Sequence, residues 1–140
     1  MKFAGLMVAM VVCISCSGTS PIAFAQTQSQ MNEGGCDSYK KADLELNQVY
    51  GQIVKLHHSD TAFLQAFRAA QRAWIVFRDA EVKAKFPEPS PQTFYGSSYP
   101  MCACAVREQL TKQRTEQLRQ TWLGNTAEGD VCAGSSMKPK

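Results

Sequence analysis

Two stretches of this chain carry apolar residues at alternating spacings of 3 and 4, a third carries them on one helical face, and a cluster of prolines divides the second from the third. That period repeats on one face of an α-helix, whereas a half-buried strand would alternate apolar and polar residues. Tyr39, Ala42, Leu46, Val49, Ile53 and Leu56 line the first stretch, which predicts a helix from about Cys36 to His58. Phe63, Phe67, Ala70, Trp74 and Phe77 line the second, from about Thr61 to Phe86, with Leu64 and Ile75 widening the stripe. Val106, Leu110, Leu118 and Trp122 line the third, from about Pro100 to Leu123. Ser59 and Asp60 are cap residues between the first two helices. Pro87, Pro89 and Pro91 cannot continue the second, Pro100 suits the first turn of the third, and Gly124-Asn125 stops it. Three such helices, joined by connections of about 2 and about 13 residues, pack as an all-α, up-down-up bundle over residues 36–123. Residues 26–35 are polar and end in two glycines, which suggests a flexible lead-in, and residues 124–140 form a small, polar C-terminal tail.

The start of the chain points to export. Met1-Lys2 gives a positive start, Phe3 to Ile14 is apolar, and Ala23-Phe24-Ala25 is a small-x-small cleavage site before Gln26. The apolar run has the length of a signal-peptide core. A bilayer-spanning helix needs about 20 such residues, so no membrane span is expected. Lipidation at Cys16 is a minor alternative, because Cys13 stands where a lipoprotein site wants an aliphatic residue. The expected mature protein is therefore exported, to the periplasm or beyond.

Composition excludes several classes. The 140 residues suffice for one ordinary domain, and a 44% hydrophobic fraction is too high for a disordered chain. A formal net charge of +3, carried without a basic stripe, does not suit a nucleic-acid binder. The two histidines are adjacent, His57 and His58, at the predicted end of the first helix. Cations are mildly favoured there by the helix dipole, and no metal or other cofactor is expected. Glu81 and Glu88 are a poor pair for glycoside hydrolysis, since nothing places them across a cleft.

Four cysteines follow the leader: Cys36, Cys102, Cys104 and Cys132. In an exported chain an even set reads as disulfides rather than a zinc site, which would need a second close pair or histidines. In an up-down-up bundle the first and third helices begin at the same end, which brings Cys36 near Cys102 and Cys104. Residues at i and i+2 point about 200° apart on a helix, so those two should take different partners. Cys36–Cys104 is the favoured bridge. Cys102–Cys132 is the second, which requires nearly extended chain back along the third helix.

With the helices placed, one string of residues stands out. Tyr39-x-x-Ala42-Asp43-x-Glu45-Leu46-Asn47-x-x-Tyr50 precedes Ala70-Gln71-Arg72-Ala73-Trp74-x-x-Phe77-Arg78-Asp79-Ala80-Glu81. Gly96-Ser97 and Leu110-Thr111-x-x-Arg114-x-x-x-Leu118 follow in order. Over about residues 33–120 this resembles the N-terminal domain of the LprI-type lysozyme inhibitors, small exported bacterial proteins. The chain departs from them in having Val82 where members often have a cysteine, and Cys102-Ala103-Cys104 where they tend to have one further into the helix. The resemblance implies a non-enzymatic protein whose partner is a lysozyme-type glycoside hydrolase. The alternative is a structural or interaction module of the cell envelope that binds another envelope protein or peptidoglycan.

Two groups of residues are candidates for specific roles. Arg72, Arg78, Asp79 and Arg114 are the charges expected to be partly buried, as an ion-pair network between helices in which a guanidinium holds a carboxylate at two points. In the proline-rich loop 87–100, Phe94, Tyr95, Ser97, Ser98 and Tyr99 sit where no helical period demands burial. Tyrosine and serine combine rigid area with adaptable hydrogen bonding. Tyr95, Ser97, Ser98 and Tyr99 are therefore the candidate partner-binding residues.

Overall fold

The computed structural model describes residues 26–124 and 130–136, and the expected leader lies outside them. Helix α1 spans Gln28–Leu56, α2 Thr61–Lys85, α3 Pro91–Tyr95 and α4 Tyr99–Leu118; a π-helical turn, Arg119–Leu123, continues α4. A short 3-10 turn, Gly134–Ser136, follows. The described residues contain no strand, and none of their helices is long and apolar enough to cross a membrane. The expected all-α, up-down-up bundle is what forms, with one additional short helix inside the proline-rich loop.

The first helix begins well before Cys36, so the segment expected to be a flexible lead-in is helical. Its start is a capping box. The Thr27 hydroxyl accepts from the Gln30 backbone N–H at 3.3 Å, and the Gln30 side chain accepts from the Thr27 N–H at 2.8 Å. These reciprocal bonds satisfy two donors that a helix start leaves open, and they outweigh the weak helix preference of Gly34 and Gly35. At its other end α1 closes on His57, whose N–H donates to the Ile53 carbonyl at 3.1 Å. His57 is only 2% exposed and lies against the Phe63 ring at 4.1 Å, whereas His58 is exposed. Asp60 caps α2 by accepting from the Phe63 N–H at 2.9 Å.

The helices α1 and α4 run parallel and make the most extensive contact in the molecule. Their direction follows from Cys36–Cys104 near both N-termini and Arg119–Glu45 at 2.6 Å further along. Leu46, Val49, Ile53, Phe63, Phe67 and Leu118 form the core cluster, with Trp122 packed on it. On α4 the buried positions are Ala103, Thr111, Thr115 and Leu118. Small side chains let the α1 and α4 backbones approach. Thr115 keeps its hydroxyl satisfied by donating to the Thr111 carbonyl at 2.9 Å.

On α2 the buried face departs from the expected stripe. Phe63 and Phe67 are buried, but Ala70 is exposed, Trp74 is half-buried, and Phe77 is 50% exposed. Arg78 and Val82 are buried instead. At about 100° per residue, Arg78 lies about 60° around from Phe63 and Phe77 about 40° the other way. The packed face thus drifts around the helix toward Arg78.

Only one of the two expected disulfides forms. Cys36 and Cys104 are bonded, with Cα atoms 5.0 Å apart. Cys102 is free and half-buried, and Cys132 is free and exposed. The segment that carries Cys132 does not return along α4. Its Ala133 and Gly134 face Trp122, at the far end of the helix from Cys102. At 1.5 Å per residue Cys102 is about 25 Å away along the axis, too far for a bridge.

Candidate functional site

Two clusters gather several of the charged and aromatic residues marked out by the sequence: an arginine–carboxylate network midway along the bundle and an aromatic loop at the end where α1 and α4 begin. In the first, Arg78 is the hub. Its side chain leaves α2 between two aromatic rings, with the guanidinium carbon 5.4 Å from the Trp74 centroid and 5.5 Å from that of Tyr39. Rings in that position stabilise a cation through their electron-rich faces. Arg78 Nε donates to Asp79 Oδ1 at 3.2 Å and its NH1 to Asp43 Oδ1 on α1 at 3.5 Å. Arg107 Nε on α4 donates to the same Asp79 oxygen at 3.4 Å. Burial alone would raise the Asp79 carboxyl. The Arg78 guanidinium and then Arg107 more than offset that effect and hold it below its ordinary value.

The cluster therefore ties all three long helices, but its membership differs from the expected set. Arg78 and Asp79 belong to it. Arg72 does not: it is exposed, on the rim of a shallow hollow with Thr61 and Arg68. Arg114 does not either: it makes no ion pair among the described residues and bonds to Gln71 Oε1 at 3.3 Å and Gln117 Oε1 at 2.8 Å. Asp43 and Arg107 complete the network. Asp43 belongs to the α1 string that carries the family resemblance, but only the packing of α1 against α2 pairs it with Arg78.

The second cluster is the connection from α2 to α4. Phe86, which ends α2, stands edge-on to Tyr95 and to Tyr99, each at 5.3 Å between centroids. Tyr95 and Tyr99 stack on each other at 6.4 Å. Both tyrosines are half-buried, as is Ser98, whereas Ser97 is exposed. Phe94 packs edge-on to Tyr95 at 4.9 Å yet stays 67% exposed. Periodicity could not reveal this burial, because the ring that covers the tyrosines belongs to a residue outside the loop. The tyrosines pack with Phe86 and are half-buried, whereas Phe94 and Ser97 are exposed, as are Gln92 and Thr93.

Four features bear on how this loop is held. Gly96 turns the chain between α3 and α4 at φ +76°, in the left-handed region that glycine enters without strain. Asn32 Nδ2, in the first turns of α1, donates to the Ser97 carbonyl at 2.8 Å. Nearby, the Cys36 sulfur lies 3.7 Å from the Pro100 carbonyl oxygen. A β-carbon at Gly35 would stand 2.9 Å from Met101 Cγ, so any side chain there would make the Met101 side chain shift.

No group of three or more His, Cys, Asp or Glu side chains among the described residues is placed to hold a metal ion. The geometry defines a disulfide-stapled helical bundle that carries a braced, largely uncharged aromatic loop at one end. The family model described as Lysozyme inhibitor LprI matches residues 21–118. The chain belongs to this family. An uncharacterised protein of Rhizobium meliloti (strain 1021) is 32% identical to it over 107 residues, covering 69% of this chain and 74% of the relative. No solved structure matches the chain.

Proposed function

We propose that this protein is a non-enzymatic, exported inhibitor that binds a lysozyme-type muramidase, and that the 87–100 loop makes the contact. The observation that carries this reading is the loop itself: Phe94 is held out from the surface by a bundle that braces its neighbours. A braced segment loses less conformational entropy on binding than a free one, so few side chains suffice. Pro87, Pro89, Pro91 and Pro100 restrict the unbound chain in the same direction.

Phe94 and Ser97 act as the contact residues. Ser98 stands beside them, and Tyr95 and Tyr99 set the loop's shape from beneath. Between Pro87 and Pro100 the only charged residue is Glu88. Lysozymes are commonly basic and this chain has a formal net charge of +3, so long-range attraction contributes little and affinity depends on local fit. An uncharged aromatic loop suits that regime.

The test compares immobilised lysozyme with a pull-down from envelope extract, each run with the wild type and with Phe94→Ala. Retention on lysozyme that is lost with Phe94→Ala supports the inhibitor reading. Capture of another envelope protein or of peptidoglycan, with none on lysozyme, would replace it with an envelope interaction module.

A further inference from the structure

A second concave surface lies away from the loop, between α2 and the end of α4. It is a trough of about 630 Å³, within the usual range for small-molecule sites, roughly 300–1,000 Å³. Phe63, Phe67, Leu118 and Trp122 form an apolar floor, and Ala133 and Gly134 close one end. Arg114 lines the opposite end, toward Ala70 and Gln71. From Ala62 to Ala70 the trough follows eight residues of helix, about 12 Å at 1.5 Å per residue.

Arg114 differs from the other half-buried or buried arginines. Arg78, Arg107 and Arg119 each meet a carboxylate. Arg114 meets only the amide oxygens of Gln71 and Gln117, which occupy Nε and NH1. Its NH2 donates to nothing among the described residues. The Trp74 ring lies 6.0 Å from its guanidinium carbon. Burial lowers its pKa from the ordinary value, the mark of a cation partly stripped of water without an anion in exchange. A carboxylate at NH2 would offset that loss through charge-assisted hydrogen bonds.

We propose that this trough binds a single-chain aliphatic carboxylate, with its head on Arg114 and its chain along Phe67, Phe63 and Trp122. The two features that define the occupant are an apolar floor with one polar end and, among the described residues, one lining cation without an acid partner. A neutral glycan would leave the cation unmatched, and a cationic amphiphile would be repelled by it. The inference is independent of lysozyme binding, since the trough shares no residue with the 87–100 loop.

The test uses the oxidised protein and sodium dodecanoate below its micelle concentration. Binding is read by tryptophan fluorescence and by calorimetry, with dodecanol and dodecyltrimethylammonium as comparators. The expected result is saturable one-to-one binding of dodecanoate, with dodecanol about tenfold or more weaker, as loss of a charged hydrogen-bond partner implies. Arg114→Gln should bring dodecanoate down to the level of dodecanol with helix content unchanged. Ala66→Trp, at an exposed position on the trough wall, should block both. If Arg114→Gln fails to fold, the headgroup comparison in the wild type decides alone. Absence of saturable binding, equal affinity for the three head groups, or full binding by folded Ala66→Trp would overturn the proposal.

Discussion

Asn32 and Ser97 are 65 residues apart in sequence and joined by one hydrogen bond, from the Asn32 side-chain amide to the Ser97 carbonyl at 2.8 Å. The bond couples the capped start of α1 to the turn that presents Phe94. Because it is exposed, its net worth is about 1 kcal/mol or less, so its effect is local rather than global. Asn32→Ala should leave the melting temperature nearly unchanged while backbone amides of residues 94–99 exchange faster with deuterium. Unaltered exchange in that segment would show that the loop is held by its aromatic cluster alone.

The Cys36–Cys104 bridge closes a sequence separation of 68 residues. Loop-closure entropy at that length is worth about 4 kcal/mol in the unfolded chain. In a domain of this size such a loss lowers the melting temperature by on the order of 15 °C. Reduction, or Cys36→Ala with Cys104→Ala, should give that shift, read by circular dichroism. Cys132→Ser should give none, since Cys132 is exposed and unbonded.

Arg78 and Arg72 separate a buried arginine from an exposed one on the same helix. Arg78→Ala removes a guanidinium packed between Trp74 and Tyr39 and leaves Asp43 and Asp79 without their shared partner. Both carboxylates keep access to water, with side chains 39% and 43% exposed. The cost should therefore fall below the roughly 3–5 kcal/mol of a fully buried pair, at about 2 kcal/mol. Arg72→Ala should change stability by less than about 0.5 kcal/mol. Denaturant titration of the two variants measures the contrast, and equal effects would contradict the placement of Arg78.

Asp79 gives the acid limb of stability a specific origin. Its carboxyl is held below the ordinary value of 3.8 in the folded protein. Its contribution is therefore fully present above that value and disappears as pH falls through the lower, folded one. Melting temperature should be insensitive to Asp79 between neutral pH and about pH 5, then decline below about pH 4. Asp79→Asn should start lower at neutral pH and lose part of that decline. An identical acid slope in wild type and variant would remove Asp79 from the account of acid unfolding.

The three long helices, their directions and the Cys36–Cys104 pairing were legible in the sequence because each depends on periodicity or on topology, whereas the short helix Pro91–Tyr95 inside the proline-rich loop was not. The α1 face of Ala42, Leu46, Val49 and Ile53 was legible in the same way. What the sequence hid depends on contacts between distant residues. Thr111 and Thr115 are buried on α4 although a count of apolar residues passes over them. Arg78 takes a core position because its stem and guanidinium fit between two rings, which hydropathy does not register. The early start of α1 was hidden by Gly34 and Gly35, since glycine weakens a helix locally while the Thr27–Gln30 box secures it from outside that pair. In the loop, the residue types pointed to a contact surface, but Phe86 decided which of them face inward.

The inhibitor reading is tested most directly by titrating lysozyme with the purified, oxidised protein and measuring hydrolysis of bacterial cell walls, alongside Phe94→Ala. The expected result is a stoichiometric fall in muramidase activity with the wild type. With Phe94→Ala, inhibition should weaken about tenfold or more, as for an exposed aromatic anchor, while melting temperature and helix content stay the same. Full lysozyme activity at several equivalents of wild-type protein would contradict the inhibitor assignment. Undiminished inhibition by folded Phe94→Ala would contradict the loop as its site.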